Sequence, residues 1–320
     1  MSTRQRPPPD WSEVEALSVL ASPAFVNGPR TVSVPATSAN LGPGFDCLGV
    51  TLELSDILVG EVVARGLDVE VEGEGAGEVP CDESHLLVRA MRAAFAQMGG
   101  DPAGLRLRLT NRIPHSRGMG SSSAAIVGGI VLARALVADG TARLDDAAAL
   151  ALANRLEGHP DNVAPALLGG FVISGQAADV VWALQAPVDP AIRGVVFVPP
   201  HGVRTEVARE LLPETVRHTD AAANSGRAAL LVAALGGAPE HLHRATEDFL
   251  HQEHRRPAMP QSLALVDDLR SRGIAAVVSG AGPTVLALVT GDAEAVADRA
   301  PEGWGSLVQV LGGPGATVLA

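Results

Sequence analysis

Residues 113–129 read IPHSRGMGSSSAAIVGG, a proline-led loop with glycines and three consecutive serines that runs into an apolar stretch of small residues. A helix start leaves several backbone N–H groups without partners inside the helix, and the helix dipole favours negative charge there. Glycines let an anion approach that backbone closely. Gly118, Met119, Gly120, Ser121, Ser122 and Ser123 therefore have the make-up of a phosphate cradle, with hydroxyls available to phosphate oxygens or a metal. The same letters also suit a small-residue helix packed closely in a core. The spacing G-x-G-x-x-S departs from the dinucleotide-binding fingerprint. The chain holds no lysine. That excludes a Walker A loop and a protein-kinase fold, since each needs a lysine against the phosphates.

The elements that must position this loop are legible in part. RTVSVPATSANLGPGFD reads as a strand running into a glycine–proline loop, which sets Asp46 beside a tight turn. Turn capping is the plainer role for that acid. In GLDVEVEGEG, Leu67, Val69 and Val71 fall on one face and Asp68, Glu70 and Glu72 on the other, as in a half-buried strand. SHLLVRAMRAAFAQMGG spaces Leu87, Met91, Ala94 and Met98 for a helix that ends at glycines. GLRLRLTNRIP alternates again. This mixture lacks the strict β-α-β-α order of a doubly wound sheet. After the strand-like GVVFVPP, helices are predicted over 205–212, 220–235, 240–250 and 261–272, followed by paired strands around Pro283. Residues 1–27 read as an extension, with Ser12 and Glu15 as a capping box. Two domains, 28–180 and 181–320, are expected to enclose a cleft.

Composition narrows the function classes. Of 320 residues, 47% are hydrophobic and the formal net charge is −12, which reads as an acidic globular protein of two domains. No basic stripe offers a footprint for nucleic acid. Two isolated cysteines, Cys47 and Cys81, are expected as reduced thiols. The start, MSTRQRPPPDW, lacks the apolar segment of a signal peptide. Residues 273–291 are uncharged enough for a membrane span up to Gly291, but Gly280, Gly282 and Pro283 break them into two strands. A cytoplasmic protein without membrane or nucleic-acid partners is expected.

The residues above also carry a family resemblance. The serine loop is similar to the second motif of the GHMP kinases, P-x-x-x-G-L-G-S-S-A-A, with Met119 in the usual leucine place and Ser123 where alanine is common. VPATSANLGPGFDCLG resembles the family's first motif and VVSGAGPTVLAL its third. EGHPDNVAPALLGG and RTEVARELLP are similar to the branch whose acceptor is L-homoserine. LHQEHRRPAMP resembles that branch's L-H-x-P-Y-R, with Glu253 and His254 replacing proline and tyrosine.

The resemblance implies an α+β, two-domain GHMP kinase fold, with a ribosomal protein S5 domain 2-like N-terminal domain and a ferredoxin-like α/β C-terminal domain. It implies phosphorylation of the L-homoserine hydroxyl by ATP with Mg2+, a step of threonine biosynthesis, by a homodimer. Pro114, His115, Ser116, Arg117 and residues 118–123 would bind the phosphates, with Ser122 and Glu157 holding the metal. Standing alone, Glu157 would read as a solvated carboxylate near a helix end. Asp46 would take the substrate ammonium, and Arg209 and Arg255 its carboxylate. Asn40, His159, Asp161 and Asn162 would surround the acceptor hydroxyl, with His159 and Asn162 positioning it. Thr205, Gly280, Gly282 and Thr284 would line the pocket. The rivals are another small-molecule kinase of the family, for mevalonate or a sugar, and a non-catalytic nucleotide sensor on the same fold.

Overall fold

Val32, Val34 and Ala36 alternate with polar neighbours, and such a pattern can bury one face of a strand. All three are fully buried in β1 (Arg30–Asn40). The computed structural model describes residues 22–178 and 180–320, so the predicted capping box at Ser12 and Glu15 lies outside the described residues. Loop 41–43 turns β1 back into β2 (Gly44–Val62), an antiparallel partner long enough to hold two different neighbours. One end of β2 pairs with β4 (Gly104–Asn111), and β3 (Gly66–Gly73) runs parallel to β4. The other end pairs with β5 (Phe171–Ala177), which carries β6 (Val180–Ala186) as an outer strand. The predicted alternation of β3 is observed: Val69 is buried, while Asp68 and Glu70 reach Arg106 and Arg108 on β4.

Helices α1 (Leu86–Met98), α2 (Ser121–Ala135), α3 (Gly140–Arg143), α4 (Asp146–Glu157) and α5 (Pro160–Leu168) follow in this part of the chain. α2 is buried nearly all round, and a β-carbon on Gly129 would lie 2.6 Å from the Leu87 carbonyl of α1. Small residues are what let α1 and α2 approach so closely. The close-packed core helix read from the sequence is therefore present, and the serine loop is its beginning.

The second sheet has the order β10 (Gly305–Val310), β7 (Arg193–Val198), β9 (Val285–Val289), β8 (Ala275–Val278), all antiparallel. β7, β8 and β9 are apolar on both faces because both are covered. Val195 and Phe197 pack with α9 (Pro260–Ser271) and α10 (Ala293–Ala297). Val196 and Leu286 instead join the large core that includes α7 (His218–Leu235) and α8 (Leu242–Ala245). α6 (Thr205–Glu210) precedes them at the cleft.

Three details depart from the sequence reading. The helix expected over 240–250 shrinks to a 3-10 turn at Pro239–His241 and α8. Its remainder is diverted because the Asp248 carboxylate accepts N–H bonds from Leu250, His251 and Gln252 at 2.7–3.0 Å, an acid side chain competing with the helix for backbone donors. The chain's last strand, β11 (Thr317–Leu319), returns to pair with β1 of the first sheet. Phe25, read with the extension, bridges Val137 and sets its ring edge-on to Phe95 at 5.8 Å.

Candidate active site

The sequence of the serine loop dictates an unusual helix start. Gly120 precedes α2 with φ 72°, and no side chain among the described residues caps the helix. A β-carbon at Gly120 would lie 2.0 Å from Thr37 Oγ1, and one at Gly118 2.2 Å from Ser279 O. The loop is thus wedged between β1 and the turn after β8, with Met119 fully buried as its plug. The hydroxyls of Ser122 and Ser123 both donate to Glu157 Oε1, at 2.7 and 2.8 Å. Glu157 ends α4, where the helix dipole disfavours a carboxylate. Hydroxyl donors, or a cation, offset that.

The loop residues divide. His115, Ser116 and Arg117 line the cavity, whereas Pro114 and Met119 are not part of its lining. The Arg117 guanidinium donates to the carbonyls of His115, Pro199 and Pro200 at 2.7–3.0 Å. It fastens the loop to the second unit.

Past Gly158 the chain brings the acceptor residues together. His159 Nδ1 lies 2.8 Å from Asp161 Oδ1, which also accepts from Asn162 Nδ2 at 3.3 Å. Thr37 donates to Asn162 Oδ1 at 2.8 Å, so Asn162 cannot rotate freely. Burial pulls the His159 pKa down, but the hydrogen bond and charge of Asp161, with the charge of Glu157, lift it above its ordinary value. That favours an imidazolium that donates over a base that accepts.

Across the cavity, Asn40, Leu41 and Asp46 all take positive φ, between 51° and 65°. The Asn40 amide holds this loop, accepting from the Asp46 N–H and donating to Gly280 O, both at 2.9 Å. Asp46 meets Arg209 of α6 in a two-pronged ion pair, at 2.6 and 3.1 Å. Arg255 is 1% exposed. Its guanidinium donates to Ala208 O, Gly280 O and His251 Nδ1, three neutral acceptors. Burial, then the nearby Arg209 charge, pushes its pKa down to about 10. The carboxylates of Asp248, Asp46 and Asp161 act on it from nearby and favour its charged form. Thr205 and Gly280 line the cavity, while Gly282 and the fully buried Thr284, whose Oγ1 has no hydrogen-bond partner among the described residues, lie outside its lining. Cys47 and Cys81 are free thiols, and burial, then the charges of Asp161 and Asp46, pushes Cys47 up to about 11.

Asn40, Ser121, Ser122, Glu157, Arg209 and Arg255 share with His159, Asp161 and Asn162 a cavity of about 680 Å3, which Asp46 and Ser123 do not line; its volume is within the range of small-molecule sites. Beyond the serine loop it continues between Leu58, Val79, Pro80, Leu86 and Leu109, an apolar end that sequence reasoning missed. These residues come from four separate segments, so no local pattern marks them. Asp56 carried a faint signal, as an acid inside an apolar strand run. It is buried and accepts the N–H groups of Arg112 and Ile113 at 2.6 and 2.9 Å.

Comparison with known proteins places the family. The GHMP kinases N terminal domain profile matches residues 85–170, and the GHMP kinases C terminal profile matches 227–305. The chain is 55% identical to a homoserine kinase of Streptomyces avermitilis, over 94% of this chain and 99% of that one. A homoserine kinase of Streptomyces coelicolor is 56% identical, over 94% and 97%. The crystal structure of homoserine kinase from Cytophaga hutchinsonii superposes with a TM-score of 0.82 at 26% identity, covering 92% of this chain and 99% of that one.

Proposed function

Because the chain belongs to the GHMP kinases, alongside the homoserine kinases among them, we propose that it transfers the γ-phosphoryl group of ATP to the side-chain hydroxyl of L-homoserine. The product is O-phospho-L-homoserine, an intermediate of threonine biosynthesis. The observation that carries this reading is one cavity with an uncapped helix start and Glu157 on one side, and Arg209 and Arg255 on the other. Phosphoryl transfer asks a protein mainly for alignment and charge neutralisation.

The free amides at the start of α2 would receive the triphosphate, with the base in the apolar end of the cavity near Leu58 and Leu109. Glu157 and the Ser122 hydroxyl suit magnesium, a hard cation that takes few protein oxygens and keeps phosphate and water. Among the described residues no three His, Cys, Asp or Glu side chains gather as a metal cage, so phosphate oxygens would complete the shell. Magnesium, when bound, neutralises charge on the phosphate oxygens. His159 and Asn162, tied through Asp161, would orient the acceptor hydroxyl.

The substrate's two charges fit the other wall. Its ammonium would replace Arg209 at Asp46, while its carboxylate would replace Asp46 at Arg209 and complete Arg255. The ion pair is then exchanged, not lost. Mevalonate and sugars have no ammonium with which to make that exchange. The reading includes a cytoplasmic enzyme and a homodimer. The dimer draws support from the outer strand β6, where Val180, Trp182 and Leu184 are 66%, 49% and 62% exposed.

ADP release measured with homoserine, mevalonate and galactose as acceptors tests the activity. Turnover with homoserine alone is expected. Turnover on either other alcohol would reassign the acceptor, and nucleotide binding without turnover on any would make the protein a sensor.

A further inference from the structure

Arg209 and Arg255 line one cavity, and the charge of Arg209 disfavours that of Arg255. The Phe45 ring lies near both. Arg209 Cζ lies 5.5 Å from the centre of its ring and Arg255 Cζ 5.6 Å. The electron-rich face of an aromatic ring attracts a guanidinium and thereby offsets some of the repulsion between the pair. The His251 ring lies 5.1 Å from the same phenyl ring, tilted by 35°.

His251 is itself fixed at both nitrogens. Nε2 donates to Gly42 O at 2.7 Å, and Nδ1 accepts from Arg255 Nη1 at 3.1 Å. This is the neutral tautomer, and burial also favours it by lowering the His251 pKa. Gly42 lies in loop 41–43, between Asn40 at the end of β1 and Phe45 and Asp46 at the start of β2, so one imidazole joins that turn to Arg255. In the 3-10 turn at Glu253–Arg255, His251 holds Arg255, while Glu253, in the place of the branch's proline, pairs with Arg256 at 2.7 Å.

We propose that Phe45 and His251 are positioning residues, holding Arg209 and Arg255 at the spacing that takes the α-carboxylate of the acceptor. The proposal rests on the reading of Arg209 and Arg255 given above. Neither ring needs to touch the substrate.

Steady-state kinetics on the full chain separates this role from a structural one. Phe45→Leu keeps an apolar side chain but loses the ring face, and should raise the homoserine KM about tenfold with the ATP KM within about twofold. His251→Gln retains a donor and an acceptor and should stay closer to the parent than His251→Leu. In an Arg255→Leu background the Phe45→Leu effect should shrink, because one of the two cations it serves is gone. If Arg255→Leu raises the homoserine KM while neither ring variant does, the positioning role is overturned and the carboxylate assignment stands. If Arg255→Leu leaves that KM unchanged, the assignment itself falls. A parallel rise in both KM values for Phe45→Leu would also overturn the proposal. Should His251→Leu fail to fold, the half-buried Phe45 still decides the question.

Discussion

At the scale of single residues, opposing pulls decide which form a group takes. Burial favours a neutral His159, but Asp161 and Glu157 favour the imidazolium and prevail, lifting its pKa above 6.5. A group whose folded-state pKa exceeds its unfolded value stabilises the fold fully below the unfolded value, and loses that contribution as pH climbs through the folded one. His159→Gln should therefore cost more stability at about pH 5.5 than at about pH 8.5, on either side of the ordinary histidine value. Urea midpoints of both proteins at both pH values measure the gap, and a gap that is equal or wider at high pH would refute the pairing. The sequence made His159, Asp161 and Asn162 visible as a group because they are near neighbours. It could not reveal that Asp46 and Arg209 satisfy one another, since that contact spans the cleft. Nor could it reveal that Asn40 spends its amide on the loop itself.

At the scale of elements, the serine loop shows how composition becomes geometry. Its glycines matter for two separable reasons, backbone sign and lack of volume. Gly120→Ala meets both, with φ 72° and a β-carbon 2.0 Å from Thr37 Oγ1. The expected cost is about 1–3 kcal/mol of stability, together with a raised ATP KM as the helix start shifts. Gly66→Ala is the control: its φ is 83° but nothing lies within 4 Å, so it should cost roughly 1 kcal/mol and leave the ATP KM alone. Equal ATP KM values in the two variants would mean that the loop does not hold the nucleotide. The start of α2 was legible because glycine and serine patterning is local. The helix over 240–250 was misread because apolar spacing cannot foresee a carboxylate such as Asp248 capturing three amides of its own chain.

At the scale of the whole molecule, the sheet edges carry different chemistry. β3 ends one side of the first sheet with Asp68, Glu70 and Glu72, charges that discourage another strand from adding there. β6 ends the branch from β5 with VVWALQA, which has no charge at all. Its Trp182 lies over Gly175 of β5, close enough that a β-carbon there would be 2.5 Å from the indole, while Val180 and Leu184 stand out into solvent. The sequence alternation marked β3 plainly, but an uncharged strand reads alike whether it is covered by its own chain or by a second one. An exposed apolar edge of this kind is a common seat for association, and it lies outside the lining of the cavity. Leu184→Lys should therefore turn a dimer into a monomer in sedimentation velocity while leaving homoserine and ATP KM values near those of the parent. A parent protein that sediments as a monomer at tens of micromolar, or a variant that remains dimeric, would remove β6 from the interface.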